Sequence, residues 1–181
     1  MDDGDEAGLI DRALAGDHQA FGTIVDTYGQ VVYNLALRMV YDPEDARDLS
    51  QTVFVKAFQK LSTFDRSRRF FSWIYRITIN ESLNLLTRRR RHEALDEDMA
   101  DGDRGPEARA AAAEENGLVQ RGLMELSPDQ RTVLVLRHFM DLSHHEMSAV
   151  LQVPEKTVKS RLHTARSRLG EILKRSGCGP S

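Results

Sequence analysis

Apolar residues in this chain recur three and four positions apart and nowhere alternate one by one. That spacing is the stripe of an amphipathic helix, whereas a half-buried strand needs a period of two. No Val/Ile/Thr run alternates with polar residues and no Asn-Gly hairpin occurs, so the expected fold class is all-α. Within residues 17–40 the buried stripe is Phe21, Ile24, Val25, Tyr28, Val32, Leu35 and Met39. Asp42-Pro43 then reads as an N-cap followed by proline at the first helical position. The helix it opens is expected to reach about Leu61 and to bury Ala46, Leu49, Val53, Phe54, Ala57 and Phe58. Ser62 to Arg69 is polar and reads as a loop, and a third long helix starts near Phe70 and ends in Arg88-Arg89-Arg90-Arg91.

Over residues 92–117 the periodicity lapses. Asp-Glu-Asp and Asp-Gly-Asp runs, Gly105-Pro106 and a shortage of large apolar groups mark a flexible acidic linker, with Ala110–Ala113 able to extend the next helix backwards. The chain of 181 residues therefore divides into an acidic lead (1–16), a helical domain (17–91), the linker (92–117), a second helical domain (118–175) and a tail (176–181). In the second domain Ser127-Pro128-Asp129-Gln130 and Ser143-His144-His145-Glu146 are capping boxes. The first opens a helix burying Val133, Leu134, Leu136 and Phe139; the second opens a short helix through Leu151. After a break at Gln152-Val153-Pro154, a last helix runs to about Arg175, burying Val158, Leu162, Ala165, Leu169 and Leu173, and is stopped by Gly177.

A net charge of −3 conceals a strong asymmetry. Residues 66–91 hold eight Arg against one acidic residue, and residues 156–175 hold seven Lys or Arg against one. Residues 93–115 hold nine Asp or Glu against two Arg. An acidic segment between two basic surfaces either lies against them or serves as a solvated tether. The acidic start excludes a secretory signal, and no apolar run approaches a membrane span. Cys178 is the single cysteine, so no disulfide closes within the chain; this fits a cytoplasmic location and removes a cysteine-based metal site. His138, His144 and His145 have no carboxylate or cysteine pattern to complete a zinc set. With no Gly-rich phosphate loop, nucleophile elbow or acid/base pair, neither catalysis nor a cofactor or metal is expected.

Short helix, three-residue turn and long basic helix make residues 144–175 a helix-turn-helix. The second helix of such a unit enters the major groove. Its outward set is Lys156, Thr157, Lys159, Ser160, Arg161, His163, Thr164 and Arg166, hydroxyls and cations suited to phosphates and purine acceptors. A solvated surface helix would mix signs, yet from Lys156 to Arg168 there are five cations and no anion. In the Arg-rich stretch 66–91, cations that include Arg66, Arg68, Arg69, Arg76, Arg88 and Arg89 are interleaved with Phe64, Phe70, Phe71, Trp73 and Tyr75, and Asn80 and Asn84 share a helix face with Arg76. Unpaired bases need a stacking face and a charged path for the backbone. Trp73 and Phe71 read as core, which leaves the loop before the helix as the better holder of a flipped base. The outer face of helix 43–61 carries Asp45, Asp48, Gln51, Thr52 and Val55, a set that fits either a protein contact or a solvated face.

Taken in order, these segments resemble the sigma-70 family of transcription initiation factors, in its two-domain extracytoplasmic-function group. Asp45-Ala46-Arg47-Asp48-Leu49-Ser50-Gln51-Thr52-Val53-Phe54-Val55-Lys56-Ala57-Phe58 is similar to the segment that docks on the clamp helices of core RNA polymerase. Phe70-Phe71-Ser72-Trp73-Ile74-Tyr75-Arg76-Ile77, with Asn80 and the Arg run, is similar to the segment that melts the promoter and reads its -10 element. Leu126-Ser127-Pro128-Asp129-Gln130-Arg131 and Thr157-Val158-Lys159-Ser160-Arg161-Leu162-His163 resemble the module that reads the -35 duplex. The resemblance implies core polymerase and promoter DNA, duplex and melted, as partners, together with an anti-sigma factor. The chain departs from the family pattern at Thr52, usually acidic, at Gln152, often Gly, and at Thr164, often Arg. The alternative is a one-component or response-type regulator that shares only the helix-turn-helix. It would need a sensing domain, and residues 1–91 show no βα alternation.

Overall fold

A computed structural model describes residues 3–96 and 114–176. The described residues form eight α-helices and one 3-10 turn, and no strand is found among them. Residues 97–113, which hold most of the expected linker and the Ala110–Ala113 run, and the tail with Gly177 and Cys178 lie outside the described residues.

Helix α1 (Asp3–Leu14) was not anticipated, because its acidic surface hides Ile10 and Ala13, which are buried against α2 (His18–Val40). Asp17 starts α2 by accepting from the Gln19 and Ala20 amides at 3.0 and 3.1 Å. Tyr41 ends it in the left-handed region (φ 57°), its amide donating back to the Leu37 carbonyl at 2.8 Å. Asp42 caps α3 (Pro43–Lys60) in the same way, with Pro43 in the first turn. After the 3-10 turn Leu61–Thr63 and the loop that follows it, α4 runs from Phe70 to Asp96, past the Arg run at which the sequence pattern was expected to end it.

The first core gathers Ile24, Val32, Leu35 and Met39 from α2, Ala46, Val53 and Ala57 from α3, and Phe70 and Ile74 from α4. Trp73 is buried with ring centroids 5.4 Å from both Phe64 and Phe70, so it packs as expected. Phe58 corrects the expected stripe. One position past Ala57 puts it about 100° round the helix from the core face. It lies edge-on to Phe21 at 5.0 Å and remains 43% exposed.

The second core is built from α5 (Glu114–Met124), α6 (Pro128–His138), α7 (His144–Leu151) and α8 (Glu155–Arg175). Both expected capping boxes are present, at Ser127 with Gln130 and at Ser143 with Glu146. Gly122 lets α5 approach α8 closely: a Cβ there would stand 2.9 Å from Leu169 Cδ1. Along α8 the buried residues are Val158, Leu162, Ala165 and Ile172, whereas Leu169 and Leu173 are half-buried. The last buried position thus falls at Ile172, one residue before the expected Leu173.

The domains also pack on each other, α5 and α6 against α2 and α7 against α4. Arg131 joins them. Only 2% exposed, its guanidinium donates to the Leu123 and Met124 carbonyls, both at 2.9 Å, and across the domain boundary to the Met39 carbonyl at 2.6 Å. Burial, assisted by the Arg90 charge, pulls its pKa down to about 10, still cationic at neutral pH.

Candidate nucleic-acid interface

In the helix-turn-helix, Gln152 closes α7 with φ 54° and ψ 41°, the left-handed conformation that glycine adopts most easily. The departure from glycine therefore leaves the turn intact. Ser148 Oγ braces it by donating to the Val153 carbonyl at 2.6 Å. With Val158, Leu162 and Ala165 inward, α8 exposes Lys156, Lys159, Ser160, His163, Thr164 and Arg166, and half-exposes Thr157 and Arg161. All eight expected residues thus lie off the buried stripe. Arg161 is 3.5 Å from the Asp129 carboxylate, and Arg166 Nε donates to His138 Nε2 at 3.3 Å. Burial, then the Arg166 and Arg137 charges, hold His138 below its ordinary value. Thr164 Oγ1 donates to the Ser160 carbonyl at 3.2 Å, within its own helix.

The loop before α4 is organised by Asp65, which accepts from the Ser67 amide at 3.0 Å and hydroxyl at 2.7 Å and lies 3.3 Å from Arg68 Nε. Those Ser67 hydrogen bonds are the main reason the Asp65 carboxyl stays below the usual range. Arg66, Arg68 and Arg69 are exposed around it. Arg66 is paired with Asp11 of α1, and Arg69 lies 5.9 Å over the Phe71 ring. The side-chain hydrogen bond in the first pair lowers the Asp11 pKa and raises that of Arg66. Asn80, Asn84 and Arg88 are exposed farther along α4, with Arg76 half-buried between loop and helix.

On α3, Asp48, Gln51 and Thr52 are exposed, with Val55 56% exposed among them. Phe58 extends that apolar spot, a contribution hidden in the sequence because Phe58 also fits the core spacing. Asp45, half-buried on the same helix, pairs with Arg89, so a residue expected at the protein-docking face is joined to one expected on the DNA path. Asp11 and Glu146 are the other residues that sequence reasoning missed. Both are carboxylates placed beside loop arginines by contacts distant in sequence. Among the described residues no three His, Cys, Asp or Glu side chains converge as a metal set, and no helix is long and apolar enough to cross a membrane.

Two basic surfaces on helical domains, one a helix-turn-helix and one an aromatic-backed Arg helix, are the parts of a factor that engages duplex and unpaired DNA. The family model for sigma-70 region 2 matches residues 24–92, and that for sigma-70 region 4 matches residues 117–169. The chain is 33% identical over 177 residues to the RNA polymerase sigma-H factor of Pseudomonas aeruginosa, covering 91% of this chain and 92% of that factor. It is 31% identical over 178 residues to the ECF RNA polymerase sigma factor SigW of Bacillus subtilis, covering 91% and 95%. Among solved structures it resembles the sigma factor RpoE in complex with the anti-sigma factor NepR from Bartonella quintana. The TM-score is 0.67 at 25% identity, over 85% of this chain and 96% of that one. The chain belongs to the sigma-70 family. Within it, the two-domain extracytoplasmic-function group is its place, and its function is to direct transcription initiation at promoters. The region 2 match decides against a regulator that shares only a helix-turn-helix.

Proposed function

We propose that promoter engagement is divided among three surfaces: α3 docks on the polymerase clamp helices, the Ser62–Arg69 loop and α4 hold the melted -10 strand, and α8 reads the -35 duplex. The observation that carries this reading is the exposed patch of Asp48, Gln51, Val55 and Phe58 on α3, on the same domain as the Arg-rich helix. An open apolar pair rimmed by polar groups is the anatomy of a binding hot spot. Asn80 and Asn84 offer hydrogen bonds to base edges, and Arg68, Arg69, Arg76 and Arg88 offer a path for phosphates. Lys156, Thr157, Lys159, Ser160 and Arg161 lie in the first two turns of α8, where base edges come within reach.

The working domains under this reading are residues 17–91, with α1 folded onto them, and 118–175, and the acidic segment between them is a tether. The factor carries no chemistry of its own, acts in the cytoplasm and leaves catalysis to the polymerase. The likeness to RpoE, solved with the anti-sigma factor NepR, supports an anti-sigma partner for this chain as well. Truncating hot-spot residues typically costs about 2 kcal/mol. Asp48→Ala with Gln51→Ala is therefore expected to weaken binding to core polymerase at least about tenfold while the thermal transition stays in place. Unchanged affinity would remove α3 from the docking role. Asn80→Ala should impair open-complex formation far more than duplex -35 binding; equal losses in both assays would remove α4 from its role.

A further inference from the structure

Between α1 and the loop that precedes α4 lies a pocket of about 240 Å³. Glu6, Ala7 and Ile10 line it from α1, and Phe64, Arg66 and Ser67 line it from the loop. Helix α1 is fastened to both of its neighbours there. Arg66 of the loop pairs with Asp11, and Tyr28 of α2 donates its hydroxyl to Glu6 Oε2. The Tyr28 ring packs with its centroid 5.4 Å from that of Phe70, and Phe70 lies 5.4 Å from Phe64. The carboxylate and the aromatic wall of the pocket therefore belong to one packed group, which fixes where Glu6 stands. A carboxylate has about four lone-pair sites. Tyr28 occupies one of them and leaves Glu6 able to accept a hydrogen bond from a ligand.

The lining suits one kind of occupant. The pocket is smaller than the ~300–1,000 Å³ of drug-sized ligand sites. It combines apolar faces from Ala7, Ile10 and Phe64 with one anionic acceptor and with loop cations. A base turned out of its stack is recognised by the same combination, an apolar or aromatic face and hydrogen bonds to its Watson–Crick edge. Under the reading above, on which this inference rests, the Ser62–Arg69 loop and α4 hold the melted -10 strand. We infer that α1 supplies the specificity-determining residue of that hold: Glu6 accepts from the exocyclic amine of a flipped base, so that one position of the unpaired strand takes adenine, cytosine or guanine and excludes thymine. Thymine alone among the four bases has no exocyclic amine. Its ring N–H lies between two carbonyl oxygens, which a carboxylate repels. The loop arginines cannot make this distinction, because donors serve the acceptors that every base carries. The acidic start of the chain thus contributes a reading group as well as charge.

The test uses the full chain assembled with core polymerase. The probe is a pool of bubble templates whose unpaired non-template strand is randomised over the -10 segment, and the captured fraction is sequenced. The wild type is expected to deplete thymine about tenfold at one position, toward the weaker end of what a good base contact discriminates. Glu6→Gln keeps an acceptor for the Tyr28 hydroxyl and adds a donor that thymine can meet. Depletion at that position should then fall below about twofold, with the other positions and total capture unchanged. Ala7→Trp, at an exposed site on α1, fills the pocket by another route and should erase the preference at the same position. It keeps the test decisive if Glu6→Gln disturbs α1, and circular dichroism reads the helicity of both variants. A wild type that depletes thymine nowhere, a profile that either folded variant leaves unchanged, or a Glu6→Gln factor weakened evenly at every position would each overturn the role of Glu6. Arg76→Ala with Asn80→Ala separates the two readings. If that pair captures the pool as the wild type does, the assignment of α4 to the -10 strand fails. If it loses capture while Glu6→Gln keeps the wild-type profile, that assignment stands and the role of Glu6 fails.

Discussion

Arg131 lies within the motif that resembles a -35-reading module, yet it touches no outward surface. Its guanidinium collects the carbonyls at the α5–α6 turn and one more from the end of α2, a fan of acceptors that only a rigid, branched donor can serve. Lysine supplies donors from a single point and would leave at least one buried carbonyl unpaired. Arg131→Lys is therefore expected to lower unfolding stability by about 2 kcal/mol, measured by urea denaturation. A loss within error would mean that water replaces the missing donors. His138 is the second residue whose environment sets its behaviour. Its folded pKa is depressed by burial and by Arg166 and Arg137, so the unfolded chain binds a proton first as pH falls. The stability it contributes is fully present above the ordinary value of 6.5 and is lost as pH falls through the window below it. The thermal midpoint of the wild type should drop between about pH 7 and pH 5.5, and His138→Gln should flatten that slope. An identical slope in the variant would assign the effect to other groups.

At the scale of elements, α3, α6, α7 and α8 were legible because each is announced by its own chemical signal, Asp42-Pro43, the two capping boxes and the break at Gln152-Val153-Pro154, while α2 was legible from its apolar stripe. Helix α1 was not, since two buried residues in an acidic run leave no stripe to recognise. The end of α4 was misplaced because like charges in an Arg run suggest a boundary, while helix propensity carries the backbone on to Asp96. The eight outward residues of α8 follow from the inward stripe alone. Arg161 stands in its second turn and Arg168 two turns farther on, where Arg168 pairs with Glu171 at 2.9 Å. Arg161→Ala is expected to relax base preference at one promoter position, a discrimination of about 1–3 kcal/mol, while Arg168→Ala weakens every sequence alike. Binding profiles over a promoter library separate the outcomes; two mutants with the wild-type profile and strength would show that α8 reads no DNA.

Across the whole molecule, the contact between domains is what no spacing rule could reveal. Arg38 meets Gln120 and Met39 meets Arg131 across 82 and 92 residues, with no periodic pattern to mark the pairing. The same blindness hid Glu146, which the sequence presents only as a capping residue. The two kinds of contact differ in what they ask of a partner. Arg131 recognises a main-chain carbonyl, which every residue supplies, whereas Arg38 needs the side chains of Gln120 and Phe139. In a chimera that grafts this first domain onto another factor's second domain, the backbone anchor would survive wherever an arginine occupies the place of Arg131. The side-chain latch would survive only if the graft also matched the amide and the ring. Modules of this architecture are therefore interchangeable as folds but not as a matched pair.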